Sequence, residues 1–205
     1  MTVKVKICGI TSPDQALMAQ QAGADALGIV IYSKSSRYVD IRRAAEIRAV
    51  IGPETVTVVL LVNADKATVK QVIDEVEPDL LQFHGDETPA FCQQFGFPFI
   101  RAIRMREGLD LDAEVAVYHA EGGFLFDAWS DDQYGGTGHQ CDWSRLPENR
   151  DYKLILAGGL RPDNVAAAVT QVRPYMVDVS GGVESSPGIK DKQKVADFVA
   201  NAKQG

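Results

Sequence analysis

Valine, isoleucine and leucine are not spread evenly along this chain. They gather in short runs separated by longer stretches in which apolar residues recur every three or four positions. The short runs predict strands at Val3–Cys8, Ala26–Ile31, Thr57–Val62, Leu80–Phe83, Phe99–Arg104, Gly123–Asp127, Lys153–Ala157 and Met176–Ser180. The periodic stretches predict helices at Asp14–Ala22, Ile41–Ile51, Ala67–Glu75, Pro89–Gln94, Leu109–Tyr118, Pro162–Val172 and Lys190–Ala202. After the sixth strand the helical period is weak, and only Trp143–Leu146 suggests a turn. Strands alternating with helices imply a parallel sheet, because each parallel return needs a crossover.

Eight such units in one short chain favour an α/β fold with a single closed (β/α)₈ TIM barrel spanning residues 1–205. The competing architecture, an open doubly wound sheet, calls for a dominant glycine-rich turn after the first strand. Here that turn is Cys8-Gly9-Ile10-Thr11, without GxGxxG. A length of 205 residues at 45% hydrophobic content suits one well-buried core. The net charge of −7 excludes a broad basic surface and so argues against a nucleic-acid partner, while a local pocket for one small anion stays allowed. No apolar run approaches the roughly 20 residues needed to span a bilayer, so no membrane partner and a cytoplasmic protein are expected. Three cysteines, Cys8, Cys92 and Cys141, lack both a disulfide framework and the CxxC spacing of a zinc site.

In a barrel of this kind the chemistry sits where the strands end, so the residues closing each strand form a list of candidates. Lys4, Lys6 and Cys8 share one strand face, which points all three into the barrel. Cys8 is read as a catalytic base, with a lysine one layer below to stabilise its thiolate; Lys6 is equally suited to pairing with an interior acid such as Asp178. Asp127 closes an apolar strand and opens a glycine-containing segment without helical period, which favours an active-site acid over a helix cap. That segment, Ala128–Gln140, reads as a loop able to fold over a ligand. The turns Gly158-Gly159 and Ser180-Gly181-Gly182 fall after strands seven and eight, where amides and a helix N-terminus suit a phosphate. Arg37 has the fork geometry for a carboxylate but stands in a polar turn where a solvated arginine is equally ordinary. His84 fits a proton shuttle or a structural histidine equally well. Cys92, Cys141, Trp129 and Trp143 read as packing residues.

These stretches, taken together and in order, resemble the phosphoribosylanthranilate isomerase family of tryptophan biosynthesis. The resemblance rests on Lys6-Ile7-Cys8-Gly9-Ile10-Thr11, Ser33-Lys34-Ser35-Ser36-Arg37-Tyr38-Val39, Gln82-Phe83-His84-Gly85-Asp86-Glu87, Leu125-Phe126-Asp127-Ala128, Gly135-Gly136-Thr137-Gly138, Leu156-Ala157-Gly158-Gly159-Leu160 and Val177-Asp178-Val179-Ser180-Gly181-Gly182-Val183-Glu184. It implies an Amadori rearrangement of a phosphosugar substrate without metal or organic cofactor, with Asp127 as general acid and Cys8 as general base. It further implies that Arg37 meets the anthranilate carboxylate and that Gly159, Ser180, Gly181 and neighbouring amides hold the phosphate. Gly181 replaces a serine usual in the family, and Gln140-Cys141-Asp142-Trp143 replaces a Thr-Phe-Asp-Trp stretch. The rival readings are a related histidine-pathway isomerase, which would need an aspartate in place of Cys8, a pentose-phosphate epimerase, which would need metal ligands, and a catalytically silent phosphate binder. Monomer and homodimer are both compatible with the sequence.

Overall fold

A computed structural model describes residues 2–128, 143–147 and 150–205. The strands are β1 (Lys4–Cys8), β2 (Ala26–Ile31), β3 (Val56–Leu61), β4 (Leu80–Phe83), β5 (Phe99–Met105), β6 (Gly123–Ala128), β7 (Leu154–Leu156) and β8 (Met176–Val179). All pairs are parallel, and β1 pairs with both β2 and β8, so the sheet closes into a barrel. The helices are α1 (Pro13–Gln21), α2 (Ile41–Arg48), α3 (Lys66–Val76), α4 (Pro89–Gln93), α5 (Leu111–Ala116), α6 (Val165–Val172) and α7 (Lys192–Gln204). Between β6 and β7 the described residues hold only a 3₁₀ turn, Trp143–Arg145, as the weak period there suggests. The predicted covering loop Ala128–Gln140, with Trp129, Gly135, Gly136, Thr137 and Gly138, and also Cys141, lies outside the described residues, apart from the backbone of Ala128.

Both faces of the sheet are buried, so the strands read as nearly continuous aliphatic runs. Ile7, Leu27, Ile29, Leu61, Phe83 and Phe126 face outward into the layer beneath the helices. The opposite parity places Ala26, Val58, Ile100, Leu125, Ile155 and Met176 together inside the barrel, as an apolar plug. Gln82, Asp127 and Asp178 come two positions after the plug-level residues Leu80, Leu125 and Met176, which places them on the same inner face, nearer the carboxyl mouth. Most helices begin at a polar cap: side-chain oxygens of Ser12, Asp40, Asp65, Thr88, Asp110 and Asp191 accept the backbone N–H three residues on.

Three expectations need correction. Lys4 has the same parity as Lys6 and Cys8 but lies at the open amino end, its side chain 49% exposed on Asp25 rather than enclosed. The sixth helix starts at Val165 and not Pro162, because the Asn164 side chain turns back to accept from Arg161 N and to donate to the Gly159 carbonyl, instead of capping the helix. The last helix starts at Lys192. Before it the chain makes a small antiparallel hairpin, β9 (Glu184–Ser186) and β10 (Ile189–Lys190), reversed at Gly188 with φ +81°. Lys190 thus belongs to a strand and is buried. No described helix is long and apolar enough to cross a membrane.

Candidate active site

Cys8 ends β1 with its thiol directed at β2. A Cβ on Gly28 would lie 2.7 Å from the sulfur, so only glycine at that position leaves the thiol its place. The Lys6 ammonium, fully buried one interior layer below, is 2.9 Å from Asp178 Oδ1 on β8, its register partner across the β1–β8 pair. Burial would push Lys6 down, but the charges of Asp178 and Cys8 more than offset it and hold the lysine protonated. Both roles suggested for Lys6 coexist, yet the thiol is still raised from its usual value: burial dominates, with Lys6 and Lys190 opposing it and Asp178 reinforcing it. In the resting protein the proton stays on sulfur more tightly than on an exposed cysteine.

Asp127, the penultimate residue of β6, has interior parity and is buried. Its Oδ2 is 3.5 Å from His84 Nε2 on the neighbouring wall. Gln82 Nε2 lies 3.1 Å from His84 Nδ1. With the amide assigned this way, Nδ1 accepts, the imidazole proton sits on Nε2, and that N–H is directed at the Asp127 side of the cleft. The strand end carrying His84 is clamped from behind. Arg101 donates to Glu87 at 2.9 Å and to the Phe83 and Gly85 carbonyls, while Glu87 accepts from the N–H groups of Gly85 and Asn63.

Cys8, Arg37, Gln82, His84, Asp127 and Asp178 line one small cleft of about 60 Å³. A larger cleft of about 240 Å³ adjoins it, lined by Gly158, Gly159, Arg161, Gly181 and Gly182, and the two share Asp127, Asp178 and Ser180. Gly158 and Gly159 both take positive φ, +82° and +64°, a path that a residue with a side chain follows only under strain. The Ser180 hydroxyl oxygen is buried with no hydrogen-bond partner among the described residues. A buried hydroxyl left open beside two glycine turns, at the carboxyl end of β7 and β8, is what an anion-binding cradle requires. Cys8, Arg37, His84, Asp127, Asp178 and the glycine turns at Gly158-Gly159 and Gly181-Gly182 are therefore at one mouth of the barrel, and the cleft that Cys8 and Asp127 share adjoins the one lined by the glycine turns.

A family model for N-(5'-phosphoribosyl)anthranilate (PRA) isomerase matches residues 5–201. The chain belongs to this family. Its N-(5'-phosphoribosyl)anthranilate isomerase relative from Stutzerimonas stutzeri is 51% identical over 197 residues, covering 96% of this chain and 95% of that one. The relative of the same name from Pseudomonas putida is 49% identical over 202 residues, covering 98% of each. The crystal structure of phosphoribosyl anthranilate isomerase from Thermotoga maritima superposes with a TM-score of 0.90 at 35% identity, over 98% of each chain. A phosphoribosyl anthranilate isomerase in complex with reduced 1-(o-carboxyphenylamino)-1-deoxyribulose 5-phosphate superposes with a TM-score of 0.83 at 33% identity, also over 98% of each.

Within this isomerase mouth the sequence reading omits three residues. Glu184 receives both forks of Arg37, Nε at 2.8 Å and Nη2 at 2.9 Å, so the arginine is not solvated but held by an internal carboxylate. Lys190 shares that carboxylate at 2.7 Å. Gln82 orients His84. Interior parity on a strand was a usable signal for Gln82; Lys190 carried none, because its hairpin reads as the start of a helix.

Proposed function

We propose that Cys8 and Asp127 carry out, as base and acid, the isomerisation that defines this family: N-(5-phosphoribosyl)anthranilate to 1-(2-carboxyphenylamino)-1-deoxyribulose 5-phosphate, in tryptophan biosynthesis. The carrying observation is that both side chains line one cleft that shares Asp127, Asp178 and Ser180 with the glycine-lined one beside it. Asp127 donates its proton to the furanose ring oxygen as the bond from that oxygen to C1 breaks, and the anilino nitrogen lone pair moves in to form a C1 iminium. The cation acidifies the C2 hydrogen, which the Cys8 thiolate removes; the C–H electrons become the C1–C2 double bond and the nitrogen regains its lone pair. The resulting enolamine takes a proton at C1 and loses one from the C2 hydroxyl, so the sum is an isomerisation with no net proton change.

The amides of Gly158, Gly159, Gly181 and Gly182, with the open Ser180 hydroxyl, receive the phosphate. Arg37 presents its guanidinium to the anthranilate carboxylate, Asp178 neutralises Lys6 beneath the sugar, and His84 Nε2 donates to a sugar hydroxyl beside Asp127. The test is the fluorescence decay of freshly generated phosphoribosylanthranilate. Wild type accelerates it, while Cys8→Ser and Asp127→Asn each lower kcat by at least about 10²-fold with KM changed far less. Near-normal kcat in Cys8→Ser overturns the base assignment, and undiminished phosphate-ligand binding without any acceleration by wild type overturns the activity.

A further inference from the structure

The hairpin β9–β10 has no place in the mechanism just given, yet it brings one lysine into the most charged part of the mouth. Lys190 has no side-chain exposure at all. Its ammonium donates to Glu184 Oε1 at 2.7 Å and to the Ser180 carbonyl at 3.1 Å. Glu184 is also the acceptor of both Arg37 forks, so one carboxylate serves two cations. Asp178 holds Lys6 at 2.9 Å. The wall around Cys8 therefore holds three cations, Lys6, Arg37 and Lys190, against two carboxylates, Asp178 and Glu184. Among the described residues of this wall the cations outnumber the carboxylates by one, and the Asp127 carboxyl faces them across the cleft from β6.

We propose that Lys190 is a positioning residue for Cys8: it supplies the excess positive charge that lets the thiolate form in a buried site, and Glu184 moderates it. This rests on the reading of Cys8 as the base. The remaining polar and titratable groups lining the cleft are Tyr32 and Ser35 after β2, Gln82 on β4 and His84 just after it, Asp127 on β6, and Ser180; β3 contributes the apolar Leu60. None of them adds a lysine or arginine. Lys6 is committed to Asp178, and Arg37 gives two of its N–H groups to Glu184. Lys190 acts on the sulfur through space, and the sulfur on it, while burial draws the lysine's own pKa below its usual value. The arrangement has a further consequence. A base that is ionised while the acid opposite keeps its proton is the reverse of the order in water, where a thiol titrates several units above a carboxyl group. A cation on the Cys8 wall lowers that gap from the thiol side only.

The experiment measures Cys8 directly, as the rate of its alkylation by iodoacetamide against pH, followed by mass spectrometry of the Cys8 peptide, alongside the pH profile of kcat/KM. Lys190→Met raises the alkylation midpoint by about one pH unit, so the rate at a fixed lower pH falls about tenfold, and the basic group's limb of kcat/KM moves up with it. Glu184→Gln moves both the opposite way, because two cations lose their counter-ion. Lys190→Arg restores the wild-type midpoint, and the Lys190→Met/Glu184→Gln double variant, which removes one charge of each sign, returns close to it and guards against a fold defect in either single variant. A lysine that merely braces the hairpin leaves the midpoint unmoved in every folded variant, and that result overturns the proposal. If the midpoint moves as stated but the kcat/KM limb does not, Lys190 governs the thiol as proposed and Cys8 is not the base.

Discussion

On the β1–β8 wall of the mouth the charged pairs stand inside the barrel: Lys6 on Asp178, Arg37 and Lys190 on Glu184. On the β4–β6 wall the cleft is lined by the amide of Gln82 and the imidazole of His84; Arg104, of inward parity and the register partner of Asp127, donates to the exposed Asp86 at 2.6 Å, and the ion pair of Arg101 with Glu87 is rooted on the other face of the sheet, since Ile100 and Ala102 on either side of Arg101 point inward. In the proposed mechanism each wall serves one half of an acid–base pair. A thiol must lose its proton to act, and buried cations beside it promote that loss; a carboxyl group acting as an acid must keep its proton, and cations aimed at it would take it away. The same kind of ion pair thus has different work according to which face of a strand bears it. In front, it sets the charge of the cleft. Behind, it clamps the strand end that carries His84.

The largest expected effect separates these two uses as differences in stability. Lys6→Met leaves Asp178 as a buried charge without its partner, and should cost about 3–5 kcal/mol in urea denaturation. Arg101→Met should cost less, about 2 kcal/mol, because Glu87 keeps the backbone N–H groups of Asn63 and Gly85 as donors. Equal losses would mean that the two pairs are buried and compensated alike, and the contrast between the walls would fall.

Next in size is Arg37→Ala. Losing a charge-assisted contact to the substrate carboxylate should raise KM roughly tenfold or more while kcat changes less, and steady-state kinetics distinguishes the two. Glu184 retains Lys190 in this variant, so the fold is expected to survive it. An unchanged KM would make Arg37 a structural partner of Glu184 and nothing more.

The unequal legibility of the two walls has a physical cause. Strand and helix periods follow from local side-chain order, so the barrel, the weak connection after β6 and the placement of Cys8, Asp127 and His84 at strand ends could all be read from the chain. Glycine pairs mark the turns after β7 and β8 for the same reason. The Arg37–Glu184 pair joins residues 147 positions apart, and no local pattern records such a contact. Lys190 was hidden more thoroughly. Two residues before a capped helix, on a strand only two residues long, it has the appearance of a solvated first-turn lysine. Only the reversal at Gly188 turns it inward.

Acid titration probes the charged wall in the intact protein. Burial would raise Glu184, but hydrogen bonds from Arg37 and the charge of Lys190 outweigh it and hold the carboxyl below its ordinary value of 4.5. A depressed carboxylate contributes stability that is complete above the unfolded-state value and is lost as pH falls toward the folded-state one. Denaturation midpoints should therefore decline as pH drops below about 4.5, with a shallower decline in Glu184→Gln. Parallel declines in the two proteins would show that Glu184 is not part of the acid response.

The smallest effect comes from the same strand as the largest. Lys4 and Lys6 have the same interior parity, each lies within 2.9 Å of a carboxylate oxygen, and both ammonium pKa values are raised. Their surroundings differ: Lys6 is sealed between the apolar plug and the mouth, whereas Lys4 stands half in water at the amino end, where Asp25 also receives Lys203 at 3.6 Å and the Val5 N–H. Water screens the outer pair, and the carboxylate keeps other partners when Lys4 is removed. Lys4→Met is expected to cost about 0.2–1 kcal/mol, further reduced by added salt, against a several-fold larger and salt-insensitive loss for Lys6→Met. A loss at Lys4 matching that at Lys6 would mean that depth within the barrel does not set the worth of these pairs, and the division between a charged, enclosed mouth and a solvated foot would have to be abandoned.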